Sequence, residues 1–329
     1  MTADYQYLTT MKINKALVTG GAGFIGSHVV DRLLHDGAEV VVIDNFSSGF
    51  AGNLPTDAGE RLQVIRGDVT DFEAVAAAAD GVDAVFHFQA NADVRGGVAK
   101  RRIDLEQNTI ATWNVLESCH REAVKTLVFA SSATVYGEPD IFPTPEGYQM
   151  MQTSLYGASK LACEAMIQAY SEYSGMRSLS FRFVSWIGER YSHGVVFDFL
   201  KKIRANPQTL EVLGDGMQRK SYLDVRDGIE GIFTAVRNFG GLKGVFNLGH
   251  DDFLPVLDLA RIVLAEAGHP TAEIRTTGGV RGWVGDSPLV QLDTSLIKSI
   301  GWAPKIPIAD GIRTTARYLL DNPWLLDAR

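Results

Sequence analysis

The chain has 329 residues, 46% of them apolar, and a formal net charge of −8. That length is enough to bury a large core, and the acidic balance, without clustered Lys and Arg, argues against a nucleic-acid surface while leaving small anionic ligands open. No apolar run approaches the roughly 20 residues of a membrane span, so no membrane partner is expected; the start Met1 to Thr10 lacks a signal-peptide core, and the two cysteines, Cys119 and Cys163, suit a reducing cytoplasm with neither a disulfide nor a metal pattern.

Residues 1–11 read as a flexible N-terminal extension. The first strand-like run is Lys15–Thr19, followed by Gly20-Gly-Ala-Gly23-Phe24-Ile25-Gly26 and then by Val29, Val30, Leu33 and Leu34 at helical spacing. Gly37 supplies the helix stop and Glu39–Asp44 a second buried strand, so the whole segment is a strand–helix–strand unit. The three glycines answer separate needs: a tight turn, close approach of backbone N–H groups to a pyrophosphate, and close packing of helix on strand. The helix N-terminus adds its partial positive charge. Asp44 closes the second strand eighteen residues after Gly26, where a carboxylate accepts hydrogen bonds from the adenosine ribose hydroxyls. No arginine follows until Arg61, which favours NAD over NADP.

Strand-like runs continue at Leu62–Arg66, Asp83–Phe88, Thr126–Ser131 and Ser178–Val184, with helical runs at Phe72–Ala79, Ile110–Arg121 and Leu155–Ser174. Alternation of this kind predicts an α/β fold, a doubly wound parallel (Rossmann) sheet. Past Val184 the rhythm breaks into loops rich in Gly, Pro and Asp, with helices expected at Val256–Ala267 and Ala309–Leu320. The expected organisation is an NAD-binding domain over 12–184 with a return segment near 225–250, and a smaller C-terminal substrate-binding lobe over 185–329.

Ligands of such sheets bind beyond the carboxyl ends of the strands. After the fifth strand comes Ser131-Ser132-Ala133-Thr134, and farther on Tyr156-Gly-Ala-Ser-Lys160. Residues four apart on a helix stand over one another, so the Lys160 ammonium is expected to lower the Tyr156 phenol from its ordinary value of about 10 and make it a base. Taken alone, the pair reads more readily as a surface Tyr over a solvated Lys, and Ser132 equally well as a capping serine. The order of glycine turn, Asp44, serine loop and Tyr-Lys pair decides for chemistry.

With its runs TGGAGFIGSH, VIDNFSSG, GDVTD, HFQA, SSATVYGEP, YGASK, RFVSWIGER, GDGMQRKSYLDVRD and GWVGDSP, the chain resembles the extended short-chain dehydrogenase/reductases, and within them the nucleotide-sugar epimerases related to UDP-galactose 4-epimerase. The resemblance implies an NAD site built from Gly20, Gly23, Phe24, Ile25, Gly26, Asp44, Asn45, Ser48 and Gly49. Asp68 and Val69 would border the adenine, Phe88, Gln89 and Ala90 would line the cofactor, and Asn108 would lie beneath it. Tyr156 would be the base, Lys160 would bridge the nicotinamide ribose, and Ser132 would hydrogen-bond the sugar oxygen. Ser131 and Thr134 would help to shape that pocket.

The implied reaction is transient oxidation of a UDP-hexose or UDP-hexuronate to a 4-keto sugar, inverting C4 in a homodimer paired through Ile110–Arg121 and Leu155–Ser174. The diphosphate would rest on Arg219 or Lys220, where the family usually has arginine at the position of Lys220, and on Arg281 and Asp286. Ser185 replaces a common asparagine, Arg190 and His193 lie where a sugar carboxylate would come, and Val290 falls where access of N-acetylated sugars is limited. A dehydratase or decarboxylase would need an acid in the serine loop, and Ala133 and Thr134 stand there instead. A non-catalytic NAD-binding sensor module, the reading of another class, would tend to lack Tyr156 or Lys160.

Overall fold

The computed structural model describes residues 12–94, 96–283 and 286–328, so the expected extension at 1–11 lies outside the described residues. In chain order the main elements are β1 (Lys15–Thr19), α1 (Phe24–His35), β2 (Glu39–Asp44), β3 (Leu62–Arg66), α2 (Phe72–Ala78), β4 (Ala84–His87), α3 (Ala111–Arg121), β5 (Thr126–Ser132), α4 (Leu155–Ser174) and β6 (Arg177–Phe183). They are followed by α5 (Val195–Ala205), α6 (Val225–Asn238), β7 (Lys243–Leu248), α7 (Val256–Glu266) and α8 (Ile308–Asp321). The seven strands pair in parallel in the order β7-β6-β5-β4-β1-β2-β3, the doubly wound sheet that the alternation of runs predicts.

Side chains of a strand alternate between the two faces of a sheet, and here both faces are apolar because helices cover both. Leu17, Val41, Val85 and Leu127 meet Val75 of α2, Val115 and Leu116 of α3, and Cys163 and Ile167 of α4. Their strand neighbours Ala16, Val18, Val40, Val42 and Val128 belong to the larger core with Val29, Val30 and Leu33 of α1. The same core takes in Phe197, Leu200 and Ile203 of α5 and Ile312 and Leu319 of α8.

Two helices and one strand stand where only loops or a loosely bounded return were expected. Helix α5 buries Val196, Phe197, Phe199, Leu200 and Ile203, apolar residues at helical spacing with Lys201 and Lys202 on the opposite face. Asp224 caps α6, its side chain accepting the Arg226 N–H at 3.0 Å, and the chain then returns as β7, which pairs with β6 from Lys243↔Ser178 to Leu248↔Phe183. Short pairs complete the second half: Ser185–Ile187 with Tyr222–Asp224, Thr209–Val212 with Glu273–Thr276, and Arg219–Lys220 between Leu254–Pro255 and Leu289–Val290.

One ionisable group is sealed beneath the sheet's carboxyl edge. His87 at the end of β4 is 1% exposed, with Nδ1 2.6 Å from the Thr19 hydroxyl and Nε2 3.0 Å from that of Thr112. Burial, aided by the nearby charge of Lys160, pushes its pKa down to about 3. The unfolded chain binds this proton at higher pH than the folded one, so stability is present above the ordinary histidine pKa of about 6.5 and is lost as the pH falls towards 3. Melting temperature is expected to drop by several degrees between pH 6.5 and 4. His87→Gln, which cannot titrate, should flatten that part of the curve in thermal melts.

Candidate active site

The carboxyl ends of β1, β2, β4, β5 and β6 open into one cleft of about 1170 Å³. Its wall runs from the glycine turn and Asp44, past Phe88, Gln89 and Ala90, to Ser132, Tyr156 and Lys160, and on to Ser185, Lys220 and Asp286.

At the first end the backbone is drawn in tightly. Gly20 has φ +66°, and a Cβ added to Gly26 would stand 2.2 Å from the Gly20 carbonyl oxygen. Gly20 N–H donates to Ile43 O at 2.9 Å and Gly23 N–H to Gly20 O at 3.1 Å. Helix α1 then starts at Phe24 with no acidic residue in its first turn, and its leading N–H groups lack intrahelical partners. Asp44 is 6% exposed and accepts from Ala22 N–H at 2.9 Å and Phe46 N–H at 2.8 Å. Burial raises its pKa and these two bonds oppose the rise.

The surrounding residues brace this end. Asn45 lines the cleft and donates to Asp68 at 2.8 Å, which places Asp68 behind the wall while Val69 faces it. Ser48 also lines the cleft, whereas Gly49 packs on Ala22, where a Cβ would lie 2.8 Å from the Ala22 carbonyl carbon. Asn108, 1% exposed, accepts from Asn91 N–H at 2.8 Å and donates to Ser159 Oγ at 2.9 Å beneath the floor. A cradle with no room for Cβ atoms, a helix N-terminus and an adjoining carboxylate fit a dinucleotide: the diphosphate at Gly23 to Gly26 and a ribose at Asp44, where a 2′-phosphate would be repelled.

At the middle of the cleft Ser132 ends β5 and caps the turn Ala133–Tyr136, accepting from Thr134 N–H at 3.2 Å and Thr134 Oγ1–H at 3.0 Å. Tyr156 and Lys160 lie on the first two turns of α4, whose N-cap Ser154 accepts from Gly157 N–H at 3.0 Å. Lys160 is 2% exposed, and its Nζ donates to Ala130 O at 2.8 Å, 5.9 Å from the Tyr156 ring centroid. Burial pushes the Tyr156 phenol up to about 12, against a hydrogen bond with Ser132, and pushes Lys160 down to about 8. The expected acidification of Tyr156 by Lys160 is therefore corrected. The ammonium is engaged by the Ala130 carbonyl, and loss of hydration dominates the phenol.

At the far end Lys220 Nζ lies 2.5 Å from Asp286 Oδ1, and Asp286 Oδ2 accepts Gly282 N–H at 3.0 Å. Arg219 precedes Lys220 in a strand, so it points the opposite way, with its guanidinium 5.5 Å from the Phe253 ring centroid. Of the other expected substrate residues, Ser185 and His193 line the cleft, but Arg190 and Arg281 do not. Arg190 pairs with Asp31 of α1 at 2.7 Å and Arg281 with Glu138 at 2.6 Å. Thr134 touches the site through Ser132, and Val290 lies beside Lys220 in the small sheet, off the cleft wall. Trp186, Tyr191, Phe197, Gln218, Tyr222 and Trp283 line the cleft and were not anticipated. Trp186 follows β6 by three residues, and the others flank the motifs around Lys220 and Asp286 or lie near α5, so the carboxyl-end rule extended past Ser185 finds the first of them.

A dinucleotide cradle that shares one cleft with a Ser-Tyr-Lys set defines an NAD-dependent enzyme on a Rossmann sheet. The model of the NAD dependent epimerase/dehydratase family matches residues 16–249, and the chain belongs to that family. It is 31% identical over 307 residues, 88% of this chain and 91% of the relative, to the UDP-glucose 4-epimerase of Streptomyces lividans. A solved UDP-galactose 4-epimerase is similar at 39% identity and TM-score 0.85, with 94% of this chain and 100% of that one covered. The dTDP-glucose 4,6-dehydratase of Streptomyces venezuelae, solved with NAD, is similar at 28% identity and TM-score 0.86, covering 94% and 98%. Among the described residues no helix is long and apolar enough to cross a membrane, and no His, Cys, Asp and Glu cluster is arranged to hold a metal.

Gly26→Ala sets a Cβ against the Gly20 carbonyl, and neither backbone can give way without opening the turn. The variant is expected to retain less than about a tenth of the NAD that accompanies the parent, measured by chromatography of the cofactor released on denaturation.

Proposed function

We propose that the protein inverts C4 of a UDP-hexose, as an isomerase of the UDP-glucose/UDP-galactose 4-epimerase kind, and that it works in the cytoplasm as a homodimer. The observation that carries this reading is the single wall on which Ser132, Tyr156 and Lys160 stand between the glycine turn and Lys220. NAD, when bound, supplies the two-electron acceptor that takes the hydrogen from C4 and gives it back. The positive charge that NAD would bring to the cleft opposes the rise that burial causes in the Tyr156 phenol, so that Tyr156 would take the proton from the 4-hydroxyl and later return it, and Ser132 would hold the same oxygen by a hydrogen bond while it is a carbonyl. Lys160 keeps a cation 5.9 Å from the phenol ring.

Lys220, which lines the cleft while paired with Asp286, would exchange part of that pair for the diphosphate, binding it as a point charge without the bidentate fork of an arginine, and so anchor the nucleotide while the hexose turns over. The hydroxyl of Thr134, in place of a carboxyl, beside Ser132 speaks against elimination of water after the keto stage. Arg190 turns off the cleft wall to Asp31, which leaves a uronate one cation fewer. For the dimer, the reading rests on Trp113 (47% exposed) and Ile110 (42% exposed) at α3 and on Tyr173 (82% exposed) on α4, large side chains on the two helices concerned.

Offered UDP-hexoses, UDP-hexuronates and dTDP-glucose without added NAD, the protein is expected to convert a UDP-hexose to its C4 isomer by proton NMR. Loss of water from dTDP-glucose instead would make it a dehydratase. Tyr156→Phe should lower turnover by at least about a thousandfold while the NAD stays bound; turnover at the parent level would sink the mechanism. Lys220→Ala should raise KM for the nucleotide sugar by about tenfold or more, whereas Arg219→Ala should leave it within about twofold. Trp113→Asp is expected to reduce the sedimenting mass from two chains to one.

A further inference from the structure

A buried charge network outside the cleft's reacting groups ends on both sides of the turn that carries Ser132. Glu164 lies one helical turn beyond Lys160 on α4 and is 2% exposed. Its Oε1 accepts from Ser131 Oγ at 2.5 Å and from Arg182 Nε at 3.0 Å, and its Oε2 accepts from Arg182 Nη2 at 2.7 Å. Arg182 on β6 uses Nη1 to donate to the Tyr136 hydroxyl and to Glu146 O, both at 2.8 Å. Tyr136 in turn donates to Asn247 Oδ1 on β7 at 2.6 Å. Ser131 immediately precedes Ser132, and Tyr136 closes the same turn.

Stability does not call for such a pair. Taking a carboxylate and a guanidinium out of water costs about as much as their attraction returns, and a well-packed apolar pair would serve the fold as well. What the charges add is direction. Two parallel N–H···O bonds fix the guanidinium plane, and through Ser131 and Tyr136 that plane fixes where the turn stands relative to the helix bearing Tyr156. We propose that Glu164, clamped by Arg182, is a positioning residue that holds the Ser132 hydroxyl in register with the Tyr156 phenol. The proposal rests on the epimerase reading above. A misplacement of about 1 Å at reacting atoms costs on the order of a hundredfold in rate, so the effect should fall on kcat.

The test uses the full chain with its own NAD and four variants: Ser131→Ala, Glu164→Gln, their double, and Arg182→Lys. Ser131→Ala leaves the ion pair intact and is expected to lower kcat about tenfold with KM within about twofold. Glu164→Gln should lower kcat about a hundredfold with NAD content unchanged, and the double variant should be no slower than Glu164→Gln, because both changes break one linkage. Arg182→Lys, which keeps the charge but not the fork, should also lose kcat.

Parent-like kcat in a folded, NAD-loaded Glu164→Gln overturns the proposal, as does a loss confined to KM or additive effects in the double variant. If Glu164→Gln does not fold, Ser131→Ala and Arg182→Lys decide by the same kcat criterion. If the parent itself turns over no nucleotide sugar, the epimerase reading has failed. Crystal structures of Ser131→Ala and the parent then decide this point alone: a Ser132 Oγ that moves by more than about 0.5 Å supports positioning, and one that stays in place overturns it.

Discussion

The cleft depends on how closely the start of α1 approaches the end of β1. Gly26 passes so near the Gly20 carbonyl that no side-chain atom fits between them, and this closeness turns the free N–H groups of α1 towards the carboxyl edge of the sheet. The neighbouring loops are tied to the same point. Ala22 gives its N–H to Asp44 and takes N–H bonds on its carbonyl from Phe50 and from the Asn53 side chain. One small residue thereby joins the loops after β1 and β2. The Asp44 carboxylate that would meet a ribose also braces the turn that would meet the phosphates.

Burial governs the electrostatics of Tyr156 and Lys160. Tyr156 and Lys160 are pushed in opposite directions, the phenol up and the ammonium down, since each loses hydration of its charged form. Spacing four apart on a helix brings the two near each other but does not determine which acceptor the ammonium chooses, and here it chooses the Ala130 carbonyl. Proximity along a helix and electrostatic coupling are separate facts, and the second needs the neighbouring strand. The same strand supplies Ser131, through which α4 and the serine turn are linked.

At the far end of the cleft the outcome was set by strand alternation. Arg219 and Lys220 are adjacent cations, and the sequence left open which of them faces the cleft. A two-residue strand wedged between two others sends one inwards to Asp286 and the other outwards to Phe253. Arg190 and Arg281 turn off the cleft wall to Asp31 and Glu138, whereas the Lys220–Asp286 pair stays on it, and ion pairs formed across elements distant in sequence leave no trace in a motif.

The sequence by itself determined what depends on local chemistry and periodicity. Runs of buried strand residues alternating with helical stripes required a parallel sheet, and glycines at 20, 23 and 26 with Asp44 at a strand end required a dinucleotide turn. Helix α5 was legible, since Val196, Phe199, Leu200 and Ile203 recur at helical spacing, whereas Lys243, Gly244 and Asn247 break the apolar run of β7. Only the tertiary structure decided which cation faces the cleft, where the Lys160 ammonium points, and that Trp186, Tyr222 and Trp283 complete the wall. The reason is physical. Backbone preference and hydrophobic period act over a few residues, whereas side-chain direction, ion-pair choice and hydration are settled by whichever distant segments pack alongside.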